Sequence, residues 1–170
     1  MDIAKFREFS RKCSNGLPKE VDKILKAAKG EPSCGIGFIT VDDFYGFYMA
    51  WDYSKNIDEY YEWKNALHPD FLYQPLVDIV DSVEEIDFCE PSDEKWDFAK
   101  SLLSVLEKSI KEIPDEIFQR NGFRKEEVLF FATMASGDYM EEMLETSVKM
   151  FNAEETLRAY GFTEEKQNVY

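Results

Sequence analysis

The chain holds one histidine and three cysteines in 170 residues, and those shortages remove most familiar chemistries at once. A Cys–His nucleophilic pair has to use His68 with Cys13, Cys34 or Cys89. His68 precedes Pro69, which biases it toward extended loop backbone, and none of the cysteines stands in an elbow or C-x-x-C signature. A lone histidine without C-x-x-C leaves no usual zinc arrangement, and no D-x-[DN]-x-[DN]-G loop is present for calcium. Gly35-Ile36-Gly37 lacks a third glycine and opens a strand pattern rather than joining strand to helix, so it makes no phosphate cradle. Adjacent carboxylates such as Asp42/Asp43, Glu84/Glu85, Glu126/Glu127 and Glu141/Glu142 are expected by chance among 35 acids, and sequence neighbours point apart on a helix or strand. The expectation is no catalytic residue, no metal and no cofactor.

Long apolar runs are missing as well. No stretch approaches the ~18 uncharged apolar residues of a membrane span. The opening "MDIAKFREFSRKCS" alternates charge with apolar side chains and has no signal-type apolar core. An odd number of cysteines at unrelated spacings fits reduced thiols better than a disulfide framework. Together these predict a soluble, cytoplasmic protein with no membrane partner.

What the chain has in excess is negative charge and aromatic rings. Its 35 acids outnumber 20 Lys/Arg for a net charge of -15. The imbalance is local: residues 1–30 carry eight Lys/Arg against four acids, whereas 42–97 carry sixteen acids against Lys55, Lys64 and Lys95. Such a surface repels phosphate backbones, which argues against nucleic acid. The ten residues "FYGFYMAWDY" at 44–53 contain six aromatic side chains and a methionine. Stacking platforms for single strands need a cationic groove beside the rings, and this stretch lies in the acidic half. Packing alone enriches aromatics in strands, so the stretch reads as a core strand with Phe47, Met49 and Trp51 buried.

The periodicities predict one α+β domain over 1–170: a mainly antiparallel sheet with a central aromatic-rich strand, flanked by several amphipathic helices. Ile3, Phe6, Phe9 and Cys13 suggest a first helix ending at Cys-Ser-Asn-Gly. Val21, Ile24, Leu25 and Ala28 suggest a second behind Pro18. This basic 1–30 segment is expected to pack on the rest. "CGIGFIT" and "FYGFYMAWDY", joined by Val41-Asp42-Asp43, read as a hairpin. "FLYQPLVDIVDSV" holds a short helix or strand, and "EEIDF" a short edge strand. Ser92 is placed to cap a long helix whose stripe runs from Trp96 to Ile113, with Pro114 opening the next and Asn121-Gly122 closing it. "VLFFATM" reads as a buried strand. Asp138 and Glu141 suggest an Asp-type capping box for the helix behind it, and "AEETLRAYGF" a last short helix.

This order of elements resembles an uncharacterised bacterial family of small, acidic α+β domains carrying a domain-of-unknown-function label. The resemblance rests on "FYGFYMAWDY", on Glu62-Trp63 leading to "PDFLYQPLVDIV", and on "VLFFATMASGDYMEEM" with "FNAEE" behind it. Domains of this kind are similar in size, acidity and layout to immunity proteins that neutralise secreted toxins. The resemblance implies an inhibitor or interaction role and transfers no catalytic residue.

The functional expectation is therefore a non-catalytic binding or inhibitor protein that docks a basic protein partner, with a toxin effector as the sharpest version. Asp81, Glu84, Glu85, Asp87, Glu90, Asp93 and Glu94 fall within fourteen residues with no internal lysine and mark the expected docking patch. Tyr60, Tyr61 and Trp63, in the same acidic half, are the expected aromatic anchors. Two alternatives stay open: a ligand-binding regulatory domain, or a small carboxylate-dependent enzyme, with a pocket near the aromatic strand.

Overall fold

A computed structural model describes residues 2–163. The N-terminal segment folds as one helix, α1 (Ile3–Ala27), where two were expected. Asp2 caps it by accepting from the Ala4 and Lys5 amides. Phe9, Cys13, Leu17, Val21, Ile24 and Leu25 are all buried, so the apolar stripe runs unbroken through the Cys-Ser-Asn-Gly stretch. Gly16 stands inside the helix because the Phe71 ring lies against it; a Cβ there would fall 2.5 Å from two ring carbons. Pro18 removes one backbone hydrogen bond. Burial of the stripe outweighs that loss, and the helix continues.

Four strands follow: β1 (Cys34–Thr40), β2 (Tyr48–Asp52), β3 (Asn65–Leu67) and β4 (Val128–Met134), in the order β3-β2-β1-β4. β1 pairs antiparallel with β2, placing Gly37 opposite Ala50, and β2 pairs antiparallel with β3. β4 pairs parallel with β1. The α+β expectation holds at this level, but the sheet is mixed rather than antiparallel alone. A parallel neighbour requires a crossover, and the helices between β3 and β4 supply it. These are α2 (Gln74–Val80), α3 (Asp93–Lys111) and α4 (Asp115–Arg120). Ser92 caps α3 as expected, accepting from the Lys95 amide at 3.1 Å.

The aromatic-rich strand is interior but shorter than expected, and the connection from β1 occupies 41–47. Phe44 takes φ 60 and Gly46 φ 104, which no strand accommodates. Phe44 is buried between Phe88 and Phe98, at 6.1 and 5.5 Å. Within β2 the expected alternation holds: Met49 and Trp51 face one hydrophobic cluster, Tyr48 and Ala50 the other. Phe47 and Met49 are buried; Trp51 is only partly covered. The expected "EEIDF" edge strand is absent. That segment is irregular loop, with Ile86 and Phe88 tucked onto the core.

The larger cluster lies between the sheet and α1–α4. The smaller one, built on Ile39, Leu129 and Phe131, lies on the opposite sheet face. Two further helices, α5 (Met140–Phe151) and α6 (Glu154–Ala159), follow within the described residues. The expected capping box on α5 does not form: Tyr139 occupies the cap position without a side-chain bond, and Asp138 is drawn to Lys95 instead. α5 lies along the outer edge of β4 and satisfies its unpaired backbone. The Ala132 N–H donates to Ser147 Oγ at 2.8 Å, and that hydroxyl donates to the Ala132 carbonyl at 3.0 Å. Asn152 does the same for Phe130, accepting its N–H at 2.9 Å and donating to its carbonyl at 2.6 Å. An exposed strand edge is thereby closed against pairing with another chain.

Ser147→Ala leaves the buried Ala132 N–H without a partner. The variant is expected to lose about 1–3 kcal/mol of stability, measured by chemical denaturation, with faster hydrogen exchange at the Ala132 amide. Wild-type exchange there would show that the edge is held by packing alone.

Candidate functional site

The seven acids of the expected patch follow the end of α2 into the start of α3. Asp81 ends α2, Glu84, Glu85, Asp87 and Glu90 sit on the irregular loop behind it, and Asp93 and Glu94 open α3. All seven are exposed. Among the described residues none of them forms an ion pair, and Lys95, the residue after Glu94, points inward to Asp42. Val83, Ile86 and Phe88 anchor the segment to the larger cluster, so alternate positions are left to project their carboxylates outward.

The three expected aromatic anchors lie elsewhere. Tyr60 is buried, donating to the Met134 carbonyl at 2.7 Å, and burial raises its phenol above the ordinary range. Trp63 packs edge-on against Phe131 at 5.6 Å. Both belong to the smaller cluster, on the sheet face opposite the acidic segment. Tyr61 is the exposed member, at 72%. The structure thus brings the acids together, but not Tyr60 and Trp63 with them.

A different set of rings adjoins the acids. The Tyr45 hydroxyl donates to Asp81 Oδ1 at 2.5 Å, and this bond raises the Tyr45 phenol above its ordinary range. Tyr45 forms one wall of a hollow of about 350 Å³ that also involves Tyr48, His68, Asp70 and Tyr73. His68 stacks on Tyr48 with centroids 5.4 Å apart and planes 29° apart. The walls come from two segments tied by the Phe47 N–H, which donates to the Leu72 carbonyl at 2.7 Å. Gly46 makes the close approach possible, since a Cβ would fall 2.7 Å from the Tyr73 ring and 3.2 Å from the Leu72 carbonyl. Hollows of similar or larger volume border α5 and α6 and lie between α1 and α3; phenylalanines line the first two and no ring lines the last, and none has a comparable set of exposed rings. The alternation over 44–53 puts Tyr45 on a covered strand face, and nothing in the local pattern marks Tyr73. The signal was Gly46 between two aromatics, a glycine that breaks a strand.

Lys95 holds the neighbouring loops. Its side chain is 0% exposed, and its Nζ lies 2.8 Å from Asp42 Oδ1 and 3.9 Å from Asp138 Oδ2, carboxylates that remain 37% and 43% exposed. The Tyr139 ring lies 5.9 Å away and stacks on Trp96 at 5.2 Å. Its hydroxyl donates to the Ser92 carbonyl at 2.7 Å. No group of three or more His, Cys, Asp or Glu among the described residues is placed to hold a metal ion. No described helix is long and apolar enough to cross a membrane. Compared with protein-family models, curated proteins and solved structures, the chain matches none.

Two outcomes follow from this geometry. Asp42→Ala removes the nearer carboxylate from the Lys95 ammonium and leaves only Asp138 at 3.9 Å; it is expected to cost about 3 kcal/mol, the low end for a broken buried pair because Asp42 is partly exposed and Asp138 remains. Lys95→Met keeps an apolar stem and frees carboxylates that reach water, so it should cost less; the reverse ranking in thermal or denaturant melts would overturn this assignment. The three cysteines are free thiols. Burial pushes the Cys13 thiol far up and, helped by the Asp52 charge, the Cys34 thiol up to about 12, which leaves almost no thiolate. A thiol-alkylating reagent should therefore label only the exposed Cys89 in native protein and all three in denaturant, read by mass spectrometry.

Proposed function

We propose that the chain is a non-catalytic binding protein that docks a basic protein partner on its acidic face. One observation carries the reading: seven exposed carboxylates stand on one short segment, and among the described residues none forms an ion pair. Folding gains nothing from such density, since like charges repel in the compact state. The segment is nonetheless anchored by Val83, Ile86 and Phe88 in a way that keeps the charges outward. A cationic partner relieves the repulsion and is steered by the same field, which reaches roughly 8 Å at physiological salt. Phosphate-rich partners are repelled, so the partner is a protein rather than a nucleic acid. Neutralisation of a basic toxin effector is the sharpest form of this reading. It is the role implied by the resemblance to immunity-type proteins.

The test is the triple variant Glu84→Lys, Glu85→Lys, Asp87→Lys. Affinity capture from the source cell with wild-type protein should retain a basic partner that the triple variant loses. With that partner purified, the association rate at low salt should fall about tenfold or more and its salt dependence should flatten. The melting temperature should hold or rise slightly as repulsion is relieved. Wild-type association kinetics in the triple variant would reduce the patch to a solvated face.

A further inference from the structure

The docking reading leaves open what the partner inserts, and the aromatic hollow beside Asp81 answers that; the inference rests on that reading. We infer that the hollow formed by Tyr45, Tyr48, His68, Asp70 and Tyr73 takes an arginine side chain of the basic partner. Three features select this occupant. Four rings, of Tyr45, Tyr48, His68 and Tyr73, line the hollow, and an aromatic quadrupole attracts a cation placed over it. Asp70 lines the hollow, and Asp81 and Asp43 stand at the Tyr45 wall, where they bond its hydroxyl and its backbone N–H at 2.5 and 3.2 Å. An anionic group is excluded on the same grounds.

Shape then separates arginine from lysine. Tyr48 and His68 already stack on each other with planes 29° apart, and a planar guanidinium can extend such a stack of rings, whereas an ammonium is a compact, strongly hydrated point charge. The volume of about 350 Å³ lies at the small end for ligand sites, enough for one side chain and too little for a large cofactor.

The hollow is set before anything binds. Phe44 is held at φ 60 with its ring buried, which turns Tyr45 outward. The Gly46 N–H donates to the Phe44 carbonyl at 2.7 Å, and the Thr40 hydroxyl donates to the Gly46 carbonyl at 2.7 Å. Walls fixed in this way lower the ordering cost of binding.

The experiment uses the full chain and needs no partner. Nitrogen-15 spectra are followed while N-acetyl-arginine amide is added, with N-acetyl-lysine amide and N-acetyl-norvaline amide as controls. The arginine probe should move the Gly46, Tyr48, His68 and Tyr73 amides with saturation on the order of millimolar. The lysine probe should bind several-fold more weakly and the norvaline probe not measurably. Tyr73→Ala, at a residue that is 56% exposed, should preserve the fold and weaken the arginine probe at least about fivefold; Asp70→Asn should weaken it as well. Equal binding of norvaline, equal binding of lysine, or no shift at these amides overturns the inference. With the purified partner, Tyr73→Ala should speed dissociation and leave association unchanged. If it changes neither while the triple charge reversal slows association, the docking reading stands and the arginine pocket falls.

Discussion

An ammonium group withdrawn from water has to be met by negative charge, and Lys95 meets that requirement by gathering three parts of the chain. It reaches from the first turn of α3 to Asp42 behind β1 and to Asp138 behind β4. Desolvating the ion costs several kcal/mol; the two carboxylates and the Tyr139 ring face offset it. The neighbouring backbone is shaped to the same end. Gly137, at φ 133, lies so close to Asp42 that a Cβ would fall 2.5 Å from the carboxylate. Charge pairing, rather than apolar packing alone, therefore fixes where the loops at the ends of the parallel strands run. The 41–47 loop that carries Tyr45 begins at this anchor.

Periodicity made the regular elements readable. The α3 stripe, its Ser92 cap, the proline opening α4 and the buried run of β4 all express local rules, and the chain obeys them. Local cues mislead where a distant contact overrules them. Gly16 and Pro18 look like a helix stop, yet Phe71 fills the notch that Gly16 leaves. Asp138 looks like a cap, yet the buried ammonium on α3 claims it. The parallel register of β4 on β1 joins segments about ninety residues apart, and no local period encodes it.

The same distinction governs the candidate site. The acidic segment was legible because charge density is a property of sequence, and exposure follows once Val83, Ile86 and Phe88 are recognised as its anchors. The aromatic hollow was not, because it joins 45–48 to 68–73 and depends on one residue, Phe44, adopting a left-handed backbone that L side chains rarely take. With Phe44 extended, Tyr45 points along the strand face and the hollow has no wall. Tyr60 and Trp63 show the converse: rings near acids in sequence lie across the sheet from them in space.

The two halves of the proposed docking face act on different steps of association. Exposed carboxylates act at a distance and through screened fields, so they raise the encounter rate and contribute little once the partner is seated. Rings lining a preset hollow act only at contact, so they govern how long the complex lasts. Asp81 belongs to both, as the first acid of the patch and the acceptor that holds Tyr45. Electrostatic attraction alone makes a protein adhere to any cation-rich surface. A hollow shaped for one planar side chain beside that field is the element that turns attraction into discrimination.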